Sequence, residues 1–262
     1  MISSVAALIC LHGAFDGTFP AAAVVGRGGP DAAWAGEGDP LEGNPALAAQ
    51  ATGVETGAGW TRPLGLEGVD LSGFWGHALA SSGTGVALRW RNLTAADIYR
   101  EDLAALDVAQ SLGPFRMGGG WRWGRMEIAG KPQGSPLGWA AGATTSLVGS
   151  VRLGASWEDL SGVRPDGLPQ PWTFRAAAAA QGTDSTWNAQ MGGEFRQRGS
   201  WTWHAGQELR LDPLRFRMGL RVSPWTLCAG MGGVWKGAMI DYALEDGPNL
   251  GLQHHGTVSW RW

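Results

Sequence analysis

The sequence predicts an all-β fold: a transmembrane antiparallel β-barrel of about 14 strands, with about 12 as the alternative count, preceded by a short plug-like N-terminal segment. Three observations predict it. Apolar and polar residues alternate with period two in run after run between residue 50 and the end of the chain. The composition is rich in Trp (16) and Gly (43), which suits aromatic belts at a membrane interface and closely packed, curved sheet. The final strand closes on Trp262, with apolar side chains at alternate positions before it.

Composition removes several other classes. Apolar residues make up 44% of the 262, too few for a bundle of membrane helices but normal where every second side chain is apolar. No run of about 18 apolar residues follows the N-terminus, and two-faced strands escape a hydropathy scan. The tryptophan content argues against disorder. A net charge of −3 lacks the basic footprint of a nucleic-acid binder, so no nucleic-acid partner is expected. Cys10 and Cys228 are too few and too far apart for a disulfide framework or a cysteine metal site.

Along the chain, residues 1–19 read as a secretory signal. Val5-Ala6-Ala7-Leu8-Ile9-Cys10-Leu11 is the apolar stretch and Ala14 stands near a cleavage point, although no Lys or Arg precedes the stretch. Ile9 is bulky where a lipoprotein signal wants a small residue, which disfavours lipidation of Cys10. Residues 20–50 are rich in Ala, Gly, Pro and Asp without periodicity, and read as a loop entering a short helix ahead of the barrel. Asn44-Pro45-Ala46 ends it with cap chemistry: Asn44 as N-cap and Pro45 at the first helical position. Residues 51–262 are the barrel.

The last strand shows how the barrel reads. Leu252, His254, Gly256, Val258, Trp260 and Trp262 share one face, and Gln253, His255, Thr257, Ser259 and Arg261 the other. The same split sets Val86, Leu88 and Trp90 against Arg89 and Arg91, and Phe115, Met117, Trp121 and Trp123 against Arg116 and Arg122. It sets Val151, Leu153, Ala155 and Trp157 against Arg152, Ser156 and Glu158. Farther on, Trp201, Trp203, Leu209 and Leu211 oppose His204, Glu208 and Arg210, and Leu214, Phe216, Met218 and Leu220 oppose Arg215, Arg217 and Arg221. A soluble sandwich also alternates, but its exposed face favours Lys, Thr and Glu over rows of Arg. Residues 98–112 are the weakest strand; Leu103, Leu106 and Gln110 also fit a short helix. Turns are expected at 81–83, 181–184, 198–199, 212–213 and 223–224, with longer loops at 129–136, 159–171 and 245–249.

Sites of chemistry are sparse, and no enzyme activity, metal or cofactor is expected. His254 and His255 point to opposite faces and cannot share a metal. Gly118-Gly119-Gly120 precedes a Trp-rich strand, not the helix that a phosphate loop needs. His204 and Glu208 share a face, which an ion-pair network explains. Ser259 and His255 also share a face, as lumen fillers or, less economically, as a hydrolase pair. Glu208, Arg210, Arg215, Arg217, Arg221, Asp241 and Arg261, with Asp212 and Glu245, form an expected polar ladder in the lumen. It either holds the barrel shut by cross-strand pairing or selects solutes.

The carboxyl-terminal third resembles the FadL-like outer-membrane superfamily, most closely its PorV/PorQ-type proteins. The resemblance lies in Gly206-Gln207-Glu208 before Leu214-Arg215-Phe216-Arg217-Met218-Gly219, in Gly230-Met231-Gly232-Gly233-Val234, in Asp241-Tyr242-Ala243, and in Leu250-Gly251-Leu252-Gln253-His254 with Val258-Ser259. Asn44-Pro45-Ala46-Leu47-Ala48 is similar to the element that opens the family's barrel. The middle of the chain matches by strand pattern only, and the chain is short for a fatty acid transporter. The resemblance implies an outer-membrane barrel for passive transport of hydrophobic or amphipathic small molecules, with residues 20–50 as a plug or periplasmic segment and Asn44, Pro45 and Ala46 as its plug motif. The alternative it implies is a non-conducting carrier of secreted cargo in a type IX secretion system. Val258, Trp260 and Trp262 resemble the terminal signal read by the outer-membrane assembly machinery. Expected partners are therefore that machinery, outer-membrane lipid, and a hydrophobic ligand or secreted cargo.

Overall fold

The computed structural model describes residues 21–262 apart from 30–31, 64–67, 82, 97, 148–149, 162–171, 198, 200, 224 and 248–250. The expected leader at 1–19 lies outside the described residues.

The barrel strands run β1 (Val54–Thr61), β2 (Val69–Ser81), β3 (Thr84–Ala95), β4 (Tyr99–Leu112), β5 (Phe115–Ile128), β7 (Leu137–Ser146), β8 (Val151–Ser161) and β9 (Thr173–Gln181). They continue through β10 (Trp187–Arg196), β11 (Trp201–Leu211), β12 (Leu214–Val222), β13 (Thr226–Trp235), β14 (Ala238–Gly247) and β15 (Gly251–Arg261). A short β6 (Lys131–Gly134) extends the end of β5. Each barrel strand pairs antiparallel with its sequence neighbours, and β15 returns to β1 with Val258 opposite Ala58. The result is a closed 14-stranded barrel. Closure leaves no free edge, which an apolar surroundings demands of any sheet.

Residues 98–112 resolve the one ambiguous assignment. They form β4, not a helix: Tyr99, Glu101, Ala105, Asp107 and Ala109 are buried while Leu106 and Val108 are exposed. Both neighbouring strands supply hydrogen-bond partners along its whole length, which overrides the helical spacing. Two expected loops are shorter than the sequence suggests, because β8 runs to Ser161 and β14 to Gly247.

Strand parity sorts the side chains. The outer surface carries Leu88, Phe115, Met117, Trp121, Leu137, Met191, Trp203, Phe216, Met218, Ile240 and Val258, all exposed. In water such a surface would be untenable; against lipid it is the stable one. Aromatics gather toward the strand ends. Trp139, Trp157, Trp172, Phe195, Trp201 and Trp203 make a connected row of ring contacts around one rim, and Trp260 and Trp262 pack at the other.

The rims also differ in their connections. At one, residues 82–83, 113–114, 147–150, 182–186, 212–213 and 236–237 link the strands. At the other lie the longer spans 62–68, 129–136 and 162–172. The chain enters β1 and leaves β15 at the short-turn rim, the periplasmic side in barrels of this kind.

The described residues of 21–50 lie inside the barrel. A short helix α1 (Ala22–Gly26) packs against β12 to β15, and a 3-10 turn (Pro45–Gln50) against β2 to β5 and β7. Both are almost wholly buried. Glycine makes this approach feasible: a Cβ at Gly206 would overlap the Arg27 carbonyl, and one at Gly85 the Ala48 carbonyl. The backbone of the inner segment thus rests directly on bare wall.

Candidate functional site

Inward parity places two clusters of charge across the lumen. In the first, Arg217 of β12 lies between Glu208 and Asp241. Its Nε donates to Glu208 at 2.6 Å and its Nη1 to Asp241. Glu208 also accepts from Arg210 Nε at 2.7 Å, and Arg27 Nη1 approaches it at 3.5 Å. Arg27 stacks over Trp34, 4.8 Å from the ring centroid, and pairs with Asp39 at 2.9 Å. Burial pushes the Asp39 carboxyl above the usual carboxylate range, opposed by Arg27 and by backbone N–H groups of Leu41 and Gly36.

Nearer the short-turn rim, Glu37 of the inner segment bridges Arg215 and Arg261, the latter at 2.5 Å. Arg261 also reaches Glu55 at 2.9 Å, and Glu55 accepts the Gly38 N–H at 2.7 Å. Arg221 pairs with Glu245 at 3.3 Å. The expected ladder residues therefore meet, but much of their pairing is with the inner segment instead of with one another. Asp212 is the exception. It sits exposed in the β11–β12 turn, where the chain reverses at Asp212-Pro213, and takes no part in the lumen cluster.

The second cluster crosses the opposite wall. Asp107 accepts from Arg89 at 2.5 Å and Arg122 at 2.6 Å. Arg122 and Arg175 both reach Glu158 at 3.1 Å, and Arg175 reaches Glu194 at 2.7 Å. Arg89 also donates to the carbonyls of Pro40, at 3.1 Å, and Leu41. A small cavity opens beside it, lined by Glu42, Arg89, Arg91, Leu103, Ala105, Arg122 and Glu158.

Asn44 ties the inner segment down. Its Oδ1 caps the 3-10 turn by accepting the Ala46 N–H at 2.9 Å. Its Nδ2 donates to the carbonyls of Ala32 (2.7 Å), Ala143 (3.0 Å) and Ala155 (3.1 Å), the last two on the wall. Pro45 follows as the first residue of the turn, and Ala46 is fully buried. At the chain end Val258, Trp260 and Trp262 face outward, and the Trp262 N–H donates to the Val54 carbonyl at 3.0 Å.

Sequence reading missed Arg27, Glu37 and Asp39, because residues 20–50 have no periodicity to assign them a face. One signal was present: Arg27 is the sole basic residue of that stretch. Asp107, Arg175 and Glu194 were also left out of the ladder, although the alternation of their strands was available. The two adjacent histidines diverge as expected. His254 faces out and shares a 2.5 Å hydrogen bond with Tyr242, while His255 faces in, 3.7 Å from Glu245. Ser259 and His255 are both buried inward but lie about 13 Å apart along one strand, too far for proton transfer.

No protein-family model matches the chain, and no curated protein matches it in sequence. Solved structures share its fold. The monoaromatic hydrocarbon channel CymD has a TM-score of 0.69 at 12% identity, over 94% of this chain and 98% of that one. The toluene transporter TodX of Pseudomonas putida has a TM-score of 0.64 at 11% identity, over 90% and 97%. The outer-membrane protein Omp33 of Acinetobacter baumannii follows at 0.56 and 6% identity, over 80% and 98%. These neighbours are channels, transporters and outer-membrane proteins, and this chain shares their outer-membrane β-barrel fold.

Proposed function

We propose that this chain is an outer-membrane channel for passive transport of hydrophobic or amphipathic small molecules, with residues 21–50 as its plug and no catalytic role. One observation carries the reading: a closed barrel holds its own N-terminal segment in the lumen, in a fold shared along nearly its whole length with a monoaromatic hydrocarbon channel and a toluene transporter. The ion pairs hold the segment to the wall, and a small cavity lies between them beside Arg89 and Leu103. Outer-membrane lipid covers the apolar exterior, and the assembly machinery reads Val258, Trp260 and Trp262. Liposomes containing the purified protein should take up toluene faster than empty ones; equal rates would overturn the proposal.

A second reading is a PorV-like, non-conducting component of a type IX secretion system that carries secreted cargo. The lumen crossed by two charge clusters favours it, since such a barrel presents surfaces instead of a pore. Co-purification with a secreted protein, in an organism that has the other components of that system, distinguishes it from transport.

A further inference from the structure

The inner-facing arginines of both charge clusters have acidic partners. Among the described residues, Arg116 of β5 and Arg152 of β8 have none. Both face the lumen near the short-turn rim. Arg116 Nε and Nη1 are buried with no hydrogen-bond partner. Arg152 donates to the Gln50 amide oxygen at 3.1 Å, a neutral acceptor. Among the described residues neither one forms an ion pair with a carboxylate, and the two stand on β5 and β8 with only β7 between them.

A third donor stands between them. Thr144 lies directly opposite Arg116 in the β5–β7 register, is 3% exposed, and has no partner for its Oγ1. Ser146, two residues on, lies opposite Arg152. One inward-facing position deeper on each strand is a glycine: Gly118, Gly142 and Gly154. A Cβ there would strike the Pro45–Ala46 backbone, the Asn44 side chain and the Ala32 carbonyl respectively. The arginines and the threonine therefore form a layer immediately beneath the inner segment, facing the short-turn mouth.

Uncompensated charge in a half-buried site is costly, and two adjacent cations compound the cost. An oxyanion relieves both. Guanidinium forks match the paired oxygens of a phosphate, and a hydroxyl adds one more bond. A monocarboxylate would neutralise only one of the two charges; a dianion neutralises both. We propose that Arg116, Thr144 and Arg152 form a binding site for a phosphate group at the periplasmic mouth of the barrel. The site does not depend on the transport reading, because it can bind whether or not solute crosses.

Calorimetric titration of the purified full-length protein tests it, with inorganic phosphate in chloride buffer of matched ionic strength. Saturable binding is expected, stronger at about pH 8 than at about pH 5.5, because inorganic phosphate, like a phosphate monoester, passes from monoanion to dianion between those values. R116Q and R152Q should each weaken binding by about tenfold or more, with the lysine variants between, since Lys keeps the charge but not the fork. Butyl phosphate and butyrate complete the set. Tighter binding of butyl phosphate than of inorganic phosphate assigns the site to the head of an amphiphile, equal binding to the free anion, and both uphold a phosphate site. The proposal fails if butyrate binds as tightly as butyl phosphate, or if phosphate gives the unsubstituted protein no more heat than chloride. That last comparison needs no variant to fold.

Discussion

Arg27 of the inner segment reaches Glu208 on the barrel wall, Nη1 to Oε2 3.5 Å, and neither side chain has any exposed surface. Segment and wall thus share one charge network, in which Glu208 answers Arg210, Arg217 and Arg27 together. Neutralising it should be far more damaging than loss of a surface pair. Glu208→Gln leaves three cations around an amide, and removing one partner of a buried pair costs about 3–5 kcal/mol. Urea unfolding in detergent, read from the heat-modifiable band, checks this; an unchanged midpoint contradicts it.

Contacts of bare backbone on the wall give a steric test. Gly206→Val should push residues 21–29 off the wall while the strands stay paired, exposing that stretch to protease in the folded barrel. Gly256 has nothing within 4 Å of where its Cβ would stand, so Gly256→Ala should change stability by no more than about 0.5 kcal/mol. Equal protease patterns for the two variants would contradict the close packing.

Asn44 separates capping from tethering. Asn44→Asp retains the oxygen that caps the turn but loses the donor to Ala32, Ala143 and Ala155; Asn44→Ala loses both. The cap alone is worth about 1 kcal/mol. Aspartate, which sets a carboxylate oxygen against three carbonyl oxygens in a fully buried site, should therefore be the more destabilising, and both variants should raise hydrogen exchange of residues 45–50. An aspartate variant that exchanges like the parent would show that the tether is inert.

Trp262 closes the ladder through its N–H to Val54 and packs on Trp260, ring centroids 6.0 Å apart. Deleting it should lower the amount of folded protein in the outer membrane several-fold, measured by immunoblot of membrane fractions. Undiminished levels would remove its assembly role.

Most of the barrel was legible because period two is a local signal: Val258, Trp260 and Trp262 on one face against Ser259 and Arg261 fixes a strand and its inward side at once. The same parity placed Glu208 and Arg217 inward. What it could not show is which charge meets which, since that depends on a stretch with no periodicity. Arg27, Glu37 and Asp39 come from such a stretch, and their partners lie more than 150 residues away in the case of Glu37 with Arg215 and Arg261. Asn44 is similar: its cap is readable from Asn-Pro-Ala, but its bonds to Ala143 and Ala155 belong to the closed barrel. Asp212 was misplaced because alternation was carried one residue past the end of β11, into the turn. In β4, helical spacing competed with strand pairing, and pairing with two neighbours prevailed.

The most direct measurement compares solute entry into liposomes bearing the complete chain with entry into liposomes bearing a barrel that lacks residues 21–50, with insertion of both confirmed by heat-modifiable migration. With the segment present, toluene should enter faster than in empty liposomes while small sugars stay excluded; without it, sugars should enter too. Sugar exclusion by an inserted barrel without the segment would contradict the assignment of residues 21–50 as the plug of a channel.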